Sequence, residues 1–353
     1  MTCLNRRELA GIGALVATSA LGGRAGAAGA RQALVDPIDL VDPELRSGVL
    51  KMQAAGPFQF SEEALRKYRS SPSPFDRPPL PGVPFSERRI PGPPGAPEVT
   101  IYIINAQAGG SRPGILHTHG GGFILGSAKG SVRDLQEIAR TLDCVAVTVE
   151  YRLAPETRFT GSVEDNYAGL KWMHANAGSL GLDPRRIALL GESAGGGHAA
   201  LLAVAARDRG EIPVLFQALI YPMLDDRTGS TRLPPSHIGT FGWTAELNRS
   251  AWRAFLGREP GGDDVPPAAA PARVMDLAGL PATFIGVGSI DLFVDEDIDY
   301  ARRLVDAGVP TELVVVPGAV HGFDVDPSAS IARRFTETKL AALRRAFDRG
   351  QSG

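Results

Sequence analysis

Two cysteines in 353 residues are too few for a disulfide framework. Cys3 falls in an N-terminal stretch expected to be removed, which leaves Cys144 alone in an apolar, strand-like run. The mature chain then has no intrachain disulfide, and Cys144 reads as a buried, inert thiol. An excess of one charge is also missing. Lys and Arg number 37 against 39 Asp and Glu, a formal net charge of −2, and no basic stripe forms along the chain. That excludes the electrostatic footprint of a nucleic-acid-binding protein. The apolar run from Leu9 to Leu21 is shorter than a stable membrane span, and no repeat recurs at solenoid or propeller spacing. What is left, 43% hydrophobic and 22% charged residues, is the composition of a soluble globular protein long enough for one large core or two modest ones.

Asn5-Arg6-Arg7-Glu8-Leu9 precedes that apolar run, and Ala25-Gly26-Ala27 and Ala28-Gly29-Ala30 follow it. A paired arginine, a short apolar segment and an Ala-x-Ala site form the three-part pattern of a cleaved export signal. The adjacent arginines resemble a twin-arginine signal, used for proteins exported already folded. Residues 1–30 are therefore expected to direct a bacterial protein to the periplasm or the medium. The competing reading is a leader that stays attached.

Proline and glycine are plentiful, at 28 and 42 residues, and they crowd into residues 72–97, which read as an extended connector. Ahead of it, residues 36–70 read as helical, with starts at Asp42-Pro43-Glu44-Leu45 and Ser61-Glu62-Glu63-Ala64-Leu65. Beyond it, apolar runs at Val99–Ile104, Gly114–Thr118, Val145–Tyr151, Ile187–Leu190, Phe216–Tyr221, Ala282–Gly288 and Thr311–Val316 alternate with helical segments near 130–142, 162–177, 194–208, 295–307 and 330–348. Several of these runs are apolar throughout, as in strands buried on both faces of a parallel sheet. The pattern predicts an α/β fold with a mostly parallel, doubly wound sheet of about eight strands. Segment 223–260 breaks the alternation and reads as a cap insertion. Its Phe241, Trp243, Trp252 and Phe255 either line a pocket or pack a helix onto the core. The resulting layout is 31–80 as N-terminal cap helices and connector, 81–222 and 261–353 as the two parts of the core, and 223–260 as the insertion.

Gly191-Glu192-Ser193-Ala194-Gly195 follows an apolar run and opens a small-residue helical segment. A G-x-S-x-G turn between strand and helix needs glycines where any Cβ would strike the neighbouring strand or helix, and it lifts the serine Oγ beside the positive helix end. A serine hydroxyl is a poor nucleophile without a base and a group to orient that base. Of the six histidines, His198 lies inside the helix that begins at the turn, His174 lies inside another helix, and His237 lies in the cap segment. His321 instead occupies a glycine-flanked loop just past the run Thr311–Val316. Asp291 ends the run Ala282–Ile290 in the same way, with Asp295 as its rival for the acid. Its other reading is a cap for the following helix. A strand-end carboxylate can fix the histidine tautomer and stabilise the imidazolium. His119-Gly120-Gly121-Gly122-Phe123 follows the run Gly114–Thr118 and can turn free backbone N–H groups onto a substrate oxygen, each worth ~3 kcal/mol to the barrier. A phosphate loop is excluded because Gly126 is followed by Ser127 and not Lys. A metal pair at His117 and His119 lacks further ligands.

Together with Glu150-Tyr151-Arg152-Leu153-Ala154-Pro155-Glu156 and His321-Gly322-Phe323, these motifs resemble the hormone-sensitive lipase family of bacterial esterases over roughly residues 36–348. The resemblance implies the α/β-hydrolase fold, a triad of Ser193, Asp291 and His321, and oxyanion donors at the N–H groups of Gly121, Gly122 and Ala194. It makes His119 a residue that shapes the glycine loop and Arg152 a tie between loops. Two positions depart from the family pattern: Glu192, where aspartate is frequent, and Leu292, where proline is. The implied activity is hydrolysis of small, fairly apolar carboxylic esters through an acyl-enzyme, with no cofactor and no metal. A deacetylase, lactonase or amidase with the same triad is the alternative, and a non-catalytic ligand-binding homologue is a third reading. The sequence leaves the oligomeric state open, a dimer included.

Overall fold

The computed structural model describes residues 36–56, 58, 60–71 and 77–351. The expected export signal, residues 1–30, lies outside them. Eight strands form one sheet: β1 (Phe85–Ile90), β2 (Val99–Ile104), β3 (Arg112–Thr118), β4 (Val145–Glu150), β5 (Leu182–Glu192), β6 (Phe216–Ile220), β7 (Ala282–Gly288) and β8 (Thr311–Val316). Their order is β1-β2-β4-β3-β5-β6-β7-β8, antiparallel at β1–β2 and β2–β4 and parallel from β4 onward. Thr118 faces both Val149 and Gly191, Glu192 faces Ile220, and Gly288 faces Val316. This register brings the carboxyl ends of β3 and β5–β8 to one edge, where ligand sites form in open α/β sheets.

Strand β1 lies in the proline-rich stretch expected to be a connector. It is an edge strand paired only with β2, and five of its six residues are exposed, so Ser86-Glu87-Arg88-Arg89 carry no apolar signal. The charged side chains also blunt the open edge against pairing with other chains.

The helices are α1 (Arg46–Ala55), α2 (Glu62–Ser70), α3 (Val132–Leu142), α4 (Phe159–Ala175), α5 (Ala177–Leu180), α6 (Ala194–Arg209), α7 (Ala245–Leu256), α8 (Val294–Asp306) and α9 (Ser330–Gln351). Ser61 Oγ caps α2 by accepting from the Ala64 N–H at 3.1 Å, and Thr244 Oγ1 caps α7 through the Leu247 N–H at 3.3 Å. At the first expected start the Asp42 carboxylate accepts from the Glu44 N–H at 2.9 Å, but it closes only a turn, and α1 begins four residues later at Arg46. Helices α3 and α9 cover one face of the sheet, and α4, α6 and α8 cover the other. Cys144 is buried in the first of these cores, and burial pushes its thiol up to about 12, which keeps it protonated and inert.

A third apolar cluster joins Leu65 of α2 with Phe123, Ala194, Trp243, Leu292, Phe293 and the inner face of α7. Trp252 and Phe255 of α7 are fully buried there, and Phe123 stacks on Phe255 with ring centroids 3.9 Å apart. Burying each such side chain contributes about 2–3 kcal/mol. No helix among the described residues is long and apolar enough to cross a membrane.

Candidate active site

Ser193 stands between β5 and α6 at φ +57° and ψ −123°. A non-glycine residue there costs about 1–3 kcal/mol. The Ser193 N–H donates to Ile220 O at 2.9 Å, and its carbonyl accepts from the Met223 N–H at 2.9 Å and the Gly197 N–H at 3.1 Å, which holds the turn in place. The glycines are required for close approach. A Cβ on Gly191 would lie 2.2 Å from Gly195 O, and one on Gly195 would lie 2.0 Å from Thr118 O of β3.

His321 reaches the turn from the loop after β8. Its Nε2 lies 2.9 Å from Ser193 Oγ, and its Nδ1 lies 2.8 Å from Asp291 Oδ2. The carboxylate can only accept, so Nδ1–H donates to it, and Nε2 is left to accept the Ser193 hydroxyl proton. Asp291 is fully buried, and its Oδ1 accepts from the Phe293 N–H at 3.0 Å. The rival acid, Asp295, is 70% exposed and pairs with Arg232 at 2.7 Å. Tyr221 and Phe293 meet the His321 ring edge-on at 4.8 and 5.1 Å. The Tyr221 hydroxyl donates to Asp324 Oδ1 at 2.7 Å, and burial holds that phenol well above its ordinary pKa.

The glycine loop abuts the serine turn. A Cβ on Gly120 would lie 3.0 Å from Glu192 O and 3.5 Å from Ser193 Cβ. Gly121 and Gly122 have φ of +119° and +60°. The loop is tied by the Gly121 carbonyl, which accepts from the Ile124 and Leu125 N–H groups at 3.0 and 2.8 Å. His119 shapes it from below. Its Nδ1 donates to Gly120 O at 2.8 Å, its ring stacks 4.1 Å from Tyr151, and its carbonyl accepts the Tyr151 hydroxyl at 2.8 Å. Burial lowers the His119 pKa to about 4.

His198 packs against Phe123, Tyr151 and Phe255, its pKa lowered by burial to about 3. His174 and His237 are half-buried. Arg152 ties the β4–α4 loop to the buried Asp165 through two guanidinium hydrogen bonds of 2.8 Å each. The partner of Glu192 was not visible in the sequence. Glu192 Oε2 lies 2.8 Å from His117 Nε2, whose Nδ1 lies 2.9 Å from Thr148 Oγ1. Burial raises the Glu192 pKa, but the His117 and Lys339 charges outweigh it and leave the carboxyl below its ordinary range. His117 thus supports the serine turn. Among the described residues no group of three or more His, Cys, Asp or Glu side chains is placed to hold a metal ion.

All four aromatics of segment 223–260 are buried, as the packing reading expects: Phe241 lies in the first core, and Trp243, Trp252 and Phe255 lie in the third cluster. Trp243 also lies against the glycine loop, with its ring 6.3 Å from that of His321.

A doubly wound sheet with a strained serine at the β5–α6 turn, bonded to a histidine after the last strand, defines a hydrolase of the α/β-hydrolase fold. Residues 115–325 match a family described as having the alpha/beta hydrolase fold. The chain is 37% identical over 248 residues to carboxylesterase NlhH of Mycobacterium tuberculosis, covering 67% of this chain and 74% of that one. It is 34% identical over 319 residues to esterase LipI of the same organism, covering 86% and 94%. Among solved structures, a bacterial heroin esterase is 38% identical with a TM-score of 0.78, over 88% of this chain and 99% of that one. Esterase LipW from Mycobacterium marinum is 36% identical with a TM-score of 0.76, over 88% and 97%. The chain belongs to the hormone-sensitive lipase-like family of α/β-hydrolase esterases and is a carboxylic-ester hydrolase.

Proposed function

We propose that Ser193 is the nucleophile, His321 the base and then the acid, and Asp291 the group that orients it, in the hydrolysis of small, fairly apolar carboxylic esters. The observation that carries the assignment is the position of His321, with Ser193 Oγ at 2.9 Å on one nitrogen and Asp291 Oδ2 at 2.8 Å on the other. Oγ attacks the ester carbonyl carbon while its proton passes to Nε2, and the carbonyl π electrons move onto oxygen. The N–H groups of Gly121, Gly122 and Ala194 receive that oxyanion. Collapse expels the alcohol, which takes the proton from Nε2. Water then repeats the sequence on the acyl-enzyme and restores Ser193. Asp291 holds the imidazolium throughout, and the scheme needs no metal or organic cofactor.

Residues 31–80 and 223–260 act in this reading as the cap over the site. Supporting it, Leu65 and α7 share the apolar cluster that contains Ala194. The purified protein should cleave p-nitrophenyl acetate and butyrate, and Ser193→Ala should lose both that turnover and labelling by a fluorophosphonate. Equal turnover by Ser193→Ala would refute the assignment. Residues 1–30 are the export signal of this enzyme, on the pattern of paired arginine, apolar segment and Ala-x-Ala sites. Its mature form should begin near Ala28 or Arg31, and an intact Met1 in the cytoplasmic fraction of its host would overturn that.

A further inference from the structure

We infer that the buried ion pair of Asp324 and Lys339 positions His321, acting through the Tyr221 ring to hold the imidazole in line between Ser193 and Asp291. The inference rests on the proposed triad and deepens that reading.

One hydrogen bond to Asp291 does not fix an imidazole. The bond from Nδ1–H to Oδ2 leaves the ring free to rock about the bond axis, and a small tilt carries Nε2 out of line with Ser193 Oγ. Two rings close off that motion. Tyr221 meets the imidazole at 4.8 Å with the planes 65° apart, and Phe293 meets it at 5.1 Å and 87°. Phe293 is fully buried in the third cluster and is fixed by packing. Tyr221 is held differently. It follows β6 at φ +36°, a left-handed conformation that a residue with a side chain keeps only where its surroundings enforce it. Its N–H donates to Gly286 O at 2.6 Å, and at the far end of the ring its hydroxyl donates to Asp324 Oδ1 at 2.7 Å.

Asp324 lies three residues past His321, in the short helix Phe323–Val325. Its other oxygen, Oδ2, accepts from Lys339 Nζ of α9 at 3.4 Å, and both side chains are less than a tenth exposed. Packing does not call for two charges in this place, because an apolar pair of similar volume would fill it without leaving water. The carboxylate supplies what an apolar side chain lacks, a charge-assisted acceptor for the Tyr221 hydroxyl, and Lys339 anchors that acceptor to α9. The same ammonium reaches the nucleophile's side of the site. Burial raises the Glu192 pKa, and the charges of His117 and Lys339 bring it below its ordinary range. Glu192 directly precedes Ser193, so one buried lysine serves the serine turn and the base together.

The test compares wild type with Tyr221→Phe, Asp324→Asn, Lys339→Met, Lys339→Arg and the charge-free double variant Asp324→Asn with Lys339→Met, each checked for folding by urea denaturation. None of these side chains touches the reacting atoms. On p-nitrophenyl acetate, KM should therefore stay within about twofold while kcat falls about tenfold or more in the phenylalanine, asparagine, methionine and double variants, since a displacement of about 1 Å costs up to about 10²-fold. Fluorophosphonate should label Ser193 to completion in each, at a rate that falls with kcat. Lys339→Arg keeps the charge and should keep most of the rate. Adding Tyr221→Phe to Asp324→Asn should cost little more than Asp324→Asn alone, because both act through one chain of contacts. Wild-type kcat in folded Tyr221→Phe or in the folded charge-free variant overturns the inference, and so does an effect carried by KM instead of kcat. If the charge variants fail to fold, Tyr221→Phe, which keeps the ring and both charges, gives the same reading. A wild type that fluorophosphonate does not label would instead remove the triad assignment.

Discussion

Gly122→Ala isolates the contact between Trp243 and the glycine loop. At φ +60° an alanine is tolerated for about 1–2 kcal/mol, so backbone strain alone leaves a folded protein. The added methyl, however, would sit 2.1 Å from Trp243 Cη2, a distance at which the ring or the loop must move. The indole is held through its Nε1–H, which donates to Asn248 Oδ1 at 2.9 Å, so the loop yields and the Gly122 N–H leaves the oxyanion. Loss of one such donor raises the barrier by about 3 kcal/mol, a decrease of about 10²-fold in kcat. Adding Trp243→Ala removes the clash and should restore most of that loss in the double variant. Gly121→Ala is the control. Its methyl would meet the backbone at Leu125 O at 2.2 Å, and its φ of +119° lies where alanine is strained, so Trp243→Ala should not rescue it. The assay is kcat and KM for p-nitrophenyl acetate, with urea denaturation to confirm folding. A folded Gly122→Ala enzyme within twofold of wild-type kcat would refute the donor assignment, and a double variant no faster than the single one would refute the clash.

Asp291→Asn should lower kcat on the same ester by about 10⁴-fold with little change in KM, because an amide no longer holds the Nδ1–H tautomer. Asp295→Asn should leave kcat unaltered, and a large effect there would exchange the roles of the two acids. His198 is neutral in the fold, its pKa depressed by burial from 6.5 to about 3, while the unfolded chain protonates near 6.5. Its contribution to stability is therefore full above about pH 6.5 and is lost as the pH falls toward 3, amounting to about 3 kcal/mol by pH 4. Burial raises the Glu296 and Asp297 pKa values, and these groups act in the opposite sense, losing stability as the pH rises. The measurement is accordingly the difference between wild type and His198→Leu in urea unfolding at pH 7, 5.5 and 4. The gap should widen in favour of the leucine variant on acidification, and parallel curves would contradict the assignment.

The catalytic candidates were legible because each sits in a short local signal at a strand end. The serine turn, the glycine loop and the His321 loop each announce themselves within a few residues. What supports them was not, because the partners are distant in sequence: His117 and Glu192 are 75 residues apart, and Trp243 meets Gly122 only once α7 has docked. The aromatic spacing in 223–260 could not say which ring also touches the glycine loop, since Trp252 and Phe255 lie on α7 while Trp243 is nine residues before the first of them, on the segment entering it. Strand β1 escaped notice for a different reason. An exposed edge strand needs no apolar residues, so pairing with β2 is its only signature.

The strand order divides the labour of the site unevenly. Ser193 and the glycine loop hang from β5 and β3, which are flanked on both sides by other strands, whereas Asp291 follows β7 and His321 follows β8. Strand β8 is the sheet's outer margin, where Leu313 and Val315 remain partly open to water. A substitution that loosened this border would therefore reach His321 before it reached the serine turn or the glycine loop.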